Sequence, residues 1–261
     1  MKICRVLTVV ISAGLAAGGL AADDGRIEIG PTDTFPIVIS GPGSYVLTAD
    51  LEVTTEDVNA IEIHSPQQVS LDLGGHSIRG PCSGSGHGIT IPDGLTARDI
   101  HIRNGTVACF HWGVKTSSTW NQGGIIVEKI RASENSNVGI RATRALVVGC
   151  NTSENGGSGI EASGSVIRDC VSSGNGGHGI ASGGNGVVHG CVVALNGDDG
   201  IFLSGSANQV VHSSMWNNGG YGVFMSSNAH NNISHSTGSD NGAGNVINCG
   251  VGNGCHHNML P

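Results

Sequence analysis

The chain has 261 residues, enough for one sizeable domain, with 44 glycines, 12% charged residues and only 3% aromatic ones. Twelve Lys and Arg against 20 Asp and Glu give a formal net charge of −8, which excludes nucleic acid as a partner, because phosphate backbones select basic surfaces. The apolar residues are regularly spaced instead of depleted, so the low charge content does not read as disorder.

In chain order, residues 1–22 come first as a secretory signal peptide. Lys2 and Arg5 lead, Val6 to Leu20 is an apolar run, and Ala21 and Ala22 precede the polar Asp23 and Asp24. Cys4 lies ahead of the apolar run, where it forms no lipobox. No later stretch reaches the roughly 18 apolar residues of a membrane helix, so no membrane insertion is expected. The expected location is secreted or periplasmic. Cleavage leaves seven cysteines, Cys82, Cys109, Cys150, Cys170, Cys191, Cys249 and Cys255. An oxidising compartment permits disulfides, and the odd count leaves at least one free thiol.

Residues 23–55 read as an N-terminal cap region of strands and turns lying off any period. The runs from Ser40 to Thr48 and from Gln68 to Arg79 alternate in the manner of strands. The segment Gly84 to Gly88 has the look of a phosphate loop, but no helix follows it.

Residues 56–245 carry the repeat. Asn135, Asn155, Asn175, Asn196 and Asn218 each precede, by four residues, a Gly joined to Ile140, Ile160, Ile180, Ile201 or Val223. A period of about 20–22 residues marks one small unit stacked on itself. Aligned copies give apolar columns such as Val127, Val147, Ile167, Val188, Val210 and Ala142, Ala162, Ser182, Leu203, Met225. A further column, Ile130, Cys150, Cys170, Cys191, places the thiols inward as small hydrophobes. Apolar residues alternate over two to four positions and then break, which means short strands joined by corners. Three such strands per turn make a coil, each strand pairing about 4.8 Å from its equivalent in the next turn. The Asn column is assigned to corners with left-handed backbone, with amides bonding along the axis. Residues 246–261 read as a C-terminal cap and tail, closed by a Cys249–Cys255 disulfide; Cys82 with Cys109 is the second candidate pair.

These units resemble the right-handed parallel β-helix repeats of the pectin-lyase-like superfamily. The resemblance is carried by Val166 to Ile180 (VIRDCVSSGNGGHGI), with Leu71 to Ile78 (LDLGGHSI) and Ile100 to Val107 (IHIRNGTV) similar to the first coils of secreted bacterial members. It covers roughly residues 37–245. It implies an all-β fold, a single-stranded right-handed parallel β-helix of three short strands per coil. It does not imply one activity, since the superfamily includes lyases, hydrolases, epimerases, adhesins and proteins with no assigned reaction.

One surface column collects chemistry. The position three residues after the ladder Asn reads Ser158, His178, Asp199, Tyr221. In register, His178 and Asp199 lie on adjacent turns with Asp198 beside them, an acid and a base for proton transfer. Arg141, Glu161, Tyr221 and Trp216 are the candidate substrate-binding residues, and Trp112, Trp120, Trp216, Tyr221 and Phe224 are the aromatics most able to stack on sugar rings. Phe202 and Phe224 share the outward column of Arg141 and Glu161.

The superfamily's catalytic motifs do not transfer. Asp198-Asp199 and Gly177-His178-Gly179 occur in the reverse of the galacturonase order, and its other two motifs are missing. A calcium-dependent lyase needs a carboxylate cluster and a basic residue, yet no Lys or Arg follows Arg168. The Asp-Pro-His motif of alginate epimerases is absent. The late histidines His230, His235, His256 and His257 fit no zinc signature and read as polar turn residues. No metal or cofactor is expected. The reading is a secreted parallel β-helix repeat protein of unassigned activity, a non-catalytic carbohydrate- or surface-interacting solenoid. The alternative is a polysaccharide-degrading lyase or glycoside hydrolase centred on His178 and Asp199.

Overall fold

The computed structural model describes residues 25–116, 123–226, 230–247 and 254–256. It is a right-handed parallel β-helix with no helical segment among those residues. Accordingly, no helix is long and apolar enough to cross a membrane among the described residues.

Three stacks of parallel strands wind around one core. The first sheet has ten strands, from Ile37–Ile39 to Gly244–Ile247. The second and third sheets occupy the other two sides. The long strands Arg98–Ala108 and Ile125–Ser133 run through both, joining them into one network. The register is that of the sequence columns. Ile37, Ile61, Ile89, Val114, Ile140, Ile160, Ile180, Ile201 and Val223 are successive partners in the first sheet, and all are buried. Because side chains alternate with period two, this register sends every Ile of the column inward and its neighbour outward.

Strands begin inside the segment read as a cap. Ile37–Ile39 pairs with Ile61–Ile63, and Gly43–Leu47 pairs with Gln67–Asp72. Residues 23–55 therefore already contain strands wound onto the stack.

The core tapers in the middle. Ile39, Ile63 and Ile91 fill its early turns, whereas the small buried columns Ala142, Ala162, Ser182 and Ala132, Thr152, Ser172 occupy it farther along. The buried hydroxyls are satisfied: Thr152 Oγ1 donates to Ser172 Oγ (2.9 Å), and Ser172 Oγ donates to the Gly179 carbonyl (2.7 Å). That pairing removes most of the penalty of placing polar atoms in a core.

The Asn column differs from its assignment. The left-handed corner residues are those just before the asparagines: Glu134, Glu154, Leu195, Asn217 and Asp240, with φ of 53–58°. The asparagines themselves are buried, and their amides form an unbroken chain from Asn135 through Asn155, Asn175, Asn196 and Asn218 to Asn241. The corner needs a positive φ one residue earlier, and the amide is kept for bonding along the axis. A shorter second ladder, Asn208 to Asn231 (3.0 Å), lies at another corner.

Cys82 and Cys109 form a disulfide. Cys150, Cys170 and Cys191 are free and buried, as their inward column requires. Hydrogen bonding to Cys170 together with burial pushes the Cys150 and Cys191 thiols up, keeping them protonated and unreactive. Cys249 lies outside the described residues, so its pairing with Cys255 does too.

Candidate functional site

The outer face of the first sheet carries two parallel columns. The strand position reads Thr90, Lys115, Arg141, Glu161, Ala181, Phe202, Phe224. The position two residues before each inward Ile or Val reads His87, Trp112, Val138, Ser158, His178, Asp199, Tyr221. From Trp112 to Phe224 the strip crosses five turn spacings, about 24 Å.

Ala181 creates a hollow. It stands between Glu161 and Phe202 with only a methyl group, so the larger neighbours wall a groove of 340 Å³ above it. Arg141, Glu161, His178, Phe202, Ser163 and Ser204 are among the residues that line it. The arrangement mixes flat apolar rings with hydrogen-bonding groups.

At one wall the His178 ring lies flat on Phe202, with centroids 4.5 Å apart and planes 2° from parallel. Phe202 stacks on Phe224 at 5.6 Å, and Tyr221 leans over Phe224 at 5.7 Å. The parallel register stacks Phe202 on Phe224, which are equivalent positions of successive turns, whereas His178 reaches Phe202 from the adjacent column and Tyr221 reaches Phe224 within one strand. His178 Nδ1 is 3.5 Å from Oδ2 of both Asp198 and Asp199. Asp199 is buried, and its Oδ1 accepts the Tyr221 backbone N–H at 2.7 Å. Burial raises its carboxyl above the usual range; the Tyr221 bond and His178 oppose this, and the charge of Asp198 adds to it. The three ligand-type atoms of His178, Asp198 and Asp199 lie within 4.8 Å of one another, close enough to share a divalent cation. The other such cluster has its two sulfurs, of Cys82 and Cys109, already joined in the disulfide.

At the other end Trp112 lies under two cations, with Lys115 Nζ 5.1 Å and the Arg141 guanidinium carbon 4.8 Å from its ring centre. Arg141 Nε is also 4.0 Å from Glu161. His87 stacks on Trp112 at 4.8 Å. Its pKa falls to about 4, first through burial and then through Lys115 and His111, so it is neutral at physiological pH.

His178, Asp198, Asp199, Arg141, Glu161 and Tyr221 thus share one face. Trp216 does not: its strand belongs to the third sheet, where it pairs with Ala194 and Ser239 and is exposed. The contribution of His87 and Lys115 to this face was missed. The early turns depart from the Asn–Gly spacing, and only the structural register places His87 and Trp112 in the His178 column.

A sequence profile described as "right handed beta helix region" matches residues 141–259. Among solved structures, the chain is similar to the A-module of the Azotobacter vinelandii mannuronan C-5 epimerase AlgE4 (TM-score 0.61, 12% identity, 91% of this chain and 89% of that one). It is similar to the periplasmic alginate epimerase AlgG (TM-score 0.59, 14% identity, 88% and 71%). It also resembles the Dettilon tailspike protein (TM-score 0.62, 17% identity, 82% and 55%), of which it spans about half. At these identities the likeness is one of fold. No curated protein matches the sequence.

Proposed function

Taking as premise that the chain is a right-handed parallel β-helix protein, we propose that it is an exported solenoid that holds a polysaccharide along the outer face of its first sheet. The carrying observation is the strip from Trp112 to Phe224. Its stacked rings form an apolar wall, the Ala181 hollow beside them gives depth, and Arg141, Glu161 and Ser163 supply hydrogen-bonding groups. Sugar rings have one apolar face and a hydroxyl rim, and bind surfaces that combine both. Solved proteins of this shape include epimerases of mannuronan and alginate, which supports a glycan ligand. The disulfide agrees with export to an oxidising compartment.

One observation favours a second reading, a polysaccharide-degrading enzyme. His178 lines the groove, and its Nδ1, buried without a hydrogen-bond partner, lies 3.5 Å from two carboxylates, one of them buried. In that reading His178 transfers a proton to or from the glycan, Asp199 orients the imidazole, and Arg141 steadies negative charge on the ligand. Both readings are tested by screening the mature chain on a glycan array and then assaying the retained glycans for reducing ends and unsaturated products. Retention without product supports the binding solenoid. Products that vanish in His178→Ala support the enzyme. No retention and no product overturns both.

A further inference from the structure

A second group of imidazoles lies away from the groove, at the corner between the second and third sheets. Successive turns place Lys129, Gly149, Asp169, Gly190, His212 and His235 at this corner, all with φ between 50° and 64°. The repeated backbone stacks equivalent side chains directly, and the His212 and His235 rings lie 5.0 Å apart at 30°. One turn earlier the corner residue is Gly190, which has no side chain. There the preceding residue, His189, brings its Nε2 to 3.4 Å from His212 Nδ1.

That separation is long for an N–H···N hydrogen bond. It matches the spacing of two nitrogens on one tetrahedral ion: bonds of 2.0–2.1 Å put neighbouring ligands about 3.3–3.4 Å apart. His189 ends the strand Val187–His189, which pairs with Gln209–Val211 just before His212, so the parallel register brings the two imidazoles together without an ion. The charge environment does not oppose a cation. Arg168, the register neighbour of His189, is 3.5 Å from Asp169, and no Lys or Arg follows it in the chain. Two imidazoles without a carboxylate select borderline transition metals over calcium or magnesium, which require oxygen ligands.

We propose that His189 and His212 bind one divalent ion of the Zn²⁺, Cu²⁺ or Ni²⁺ class, with water completing its shell. The ion clips two successive turns together and stiffens the later part of the coil. This proposal is independent of the glycan face, which is built on the first sheet.

The test uses the metal-stripped mature chain, titrated calorimetrically with ZnCl₂ and separately with CaCl₂, together with thermal melts. The expected result is a Zn²⁺ site whose occupancy raises Tm, with no response to Ca²⁺. Its affinity falls at least about tenfold in His189→Ala and in His212→Asn, the latter because Asn tolerates the left-handed corner. His178→Ala leaves it intact. Circular dichroism confirms that each variant is folded. The proposal is overturned if wild-type protein does not bind Zn²⁺, or if both ladder variants bind it as tightly as wild type. It is equally overturned if binding disappears in His178→Ala, which would assign the ion to His178, Asp198 and Asp199.

Discussion

Asn155 and Asn175, one turn apart, are joined twice: Oδ1 of Asn175 accepts both Nδ2–H of Asn155 at 2.8 Å and its backbone N–H at 3.2 Å. The remaining Nδ2 hydrogen of Asn155 goes to the Ala132 carbonyl at 3.0 Å. The side-chain amides of Asn155, Asn175, Asn196 and Asn218 each use two donors and two acceptor sites, a full complement that only Asn supplies at this length. Asn175→Ala orphans several buried groups of its neighbours at once. We predict a loss of about 3–5 kcal/mol in urea unfolding. Asn175→Asp, which supplies no amide donor for Asn196, is predicted to lose a similar amount at neutral pH.

The Asn and Gly columns are one device. A Cβ on Gly159 would lie 2.7 Å from Asn175 Nδ2 and 2.1 Å from Ser172 Oγ, and Gly139, Gly179, Gly200 and Gly222 meet the next ladder Asn in the same way. The requirement is space, since these glycines do not have positive φ. Gly159→Ala should cost about 2–4 kcal/mol by displacing the ladder. Gly174→Ala, at φ 67° with nothing within 4 Å, should cost only about 1 kcal/mol of backbone strain. Paired chemical melts of the two variants check the contrast.

His87 gives an acid-side dependence. Its pKa is about 4 in the folded chain against an ordinary 6.5, so between those values the unfolded chain takes up a proton that the folded chain refuses. Stability present at pH 7 is therefore lost as pH falls through 6.5 toward 4. His87→Phe keeps a ring against Trp112 without a titrating group. The stability-versus-pH curve of that variant should be flatter over this window; an unchanged slope would assign the effect elsewhere.

Asp199 acts in the opposite sense. Its folded pKa is raised, mainly by burial, so the folded chain holds a proton that the unfolded chain releases. Stability falls as pH rises from the ordinary carboxylate range through the raised value, and is constant beyond it. Asp199→Asn keeps an oxygen to accept the Tyr221 N–H and removes the charge. It should be at least as stable as wild type at pH 7, with its advantage gone at pH 3. A variant less stable at pH 7 than wild type would show that the His178 ion pair outweighs burial.

Much of this molecule was legible in the sequence because its period is visible. The columns through Val127, Ile130, Ala132, Ile140 and Ala142 are the observed registers, and the Cys82–Cys109 bridge is present. The backbone state of the corners was not legible, because a buried amide and a left-handed residue sit side by side and both tolerate Asn. The near end of the site was hidden for another reason. The early turns are longer, as in Trp112 to Val138, so His87 and Trp112 align with His178 only through strand pairing. Trp216 and Tyr221 are both aromatics able to stack on sugar rings, but the corner between them puts them on different sides of the coil.

The most direct test of the glycan face is calorimetric titration of the protein and its Phe202→Ala and Trp112→Ala variants with the oligosaccharide selected on the array. The account predicts saturable binding by wild type and at least about tenfold weaker binding by each variant, with unchanged β-type circular dichroism, as expected for loss of an aromatic platform. Equal affinity in all three proteins, or weakening only in Trp216→Ala on the third sheet, would contradict it.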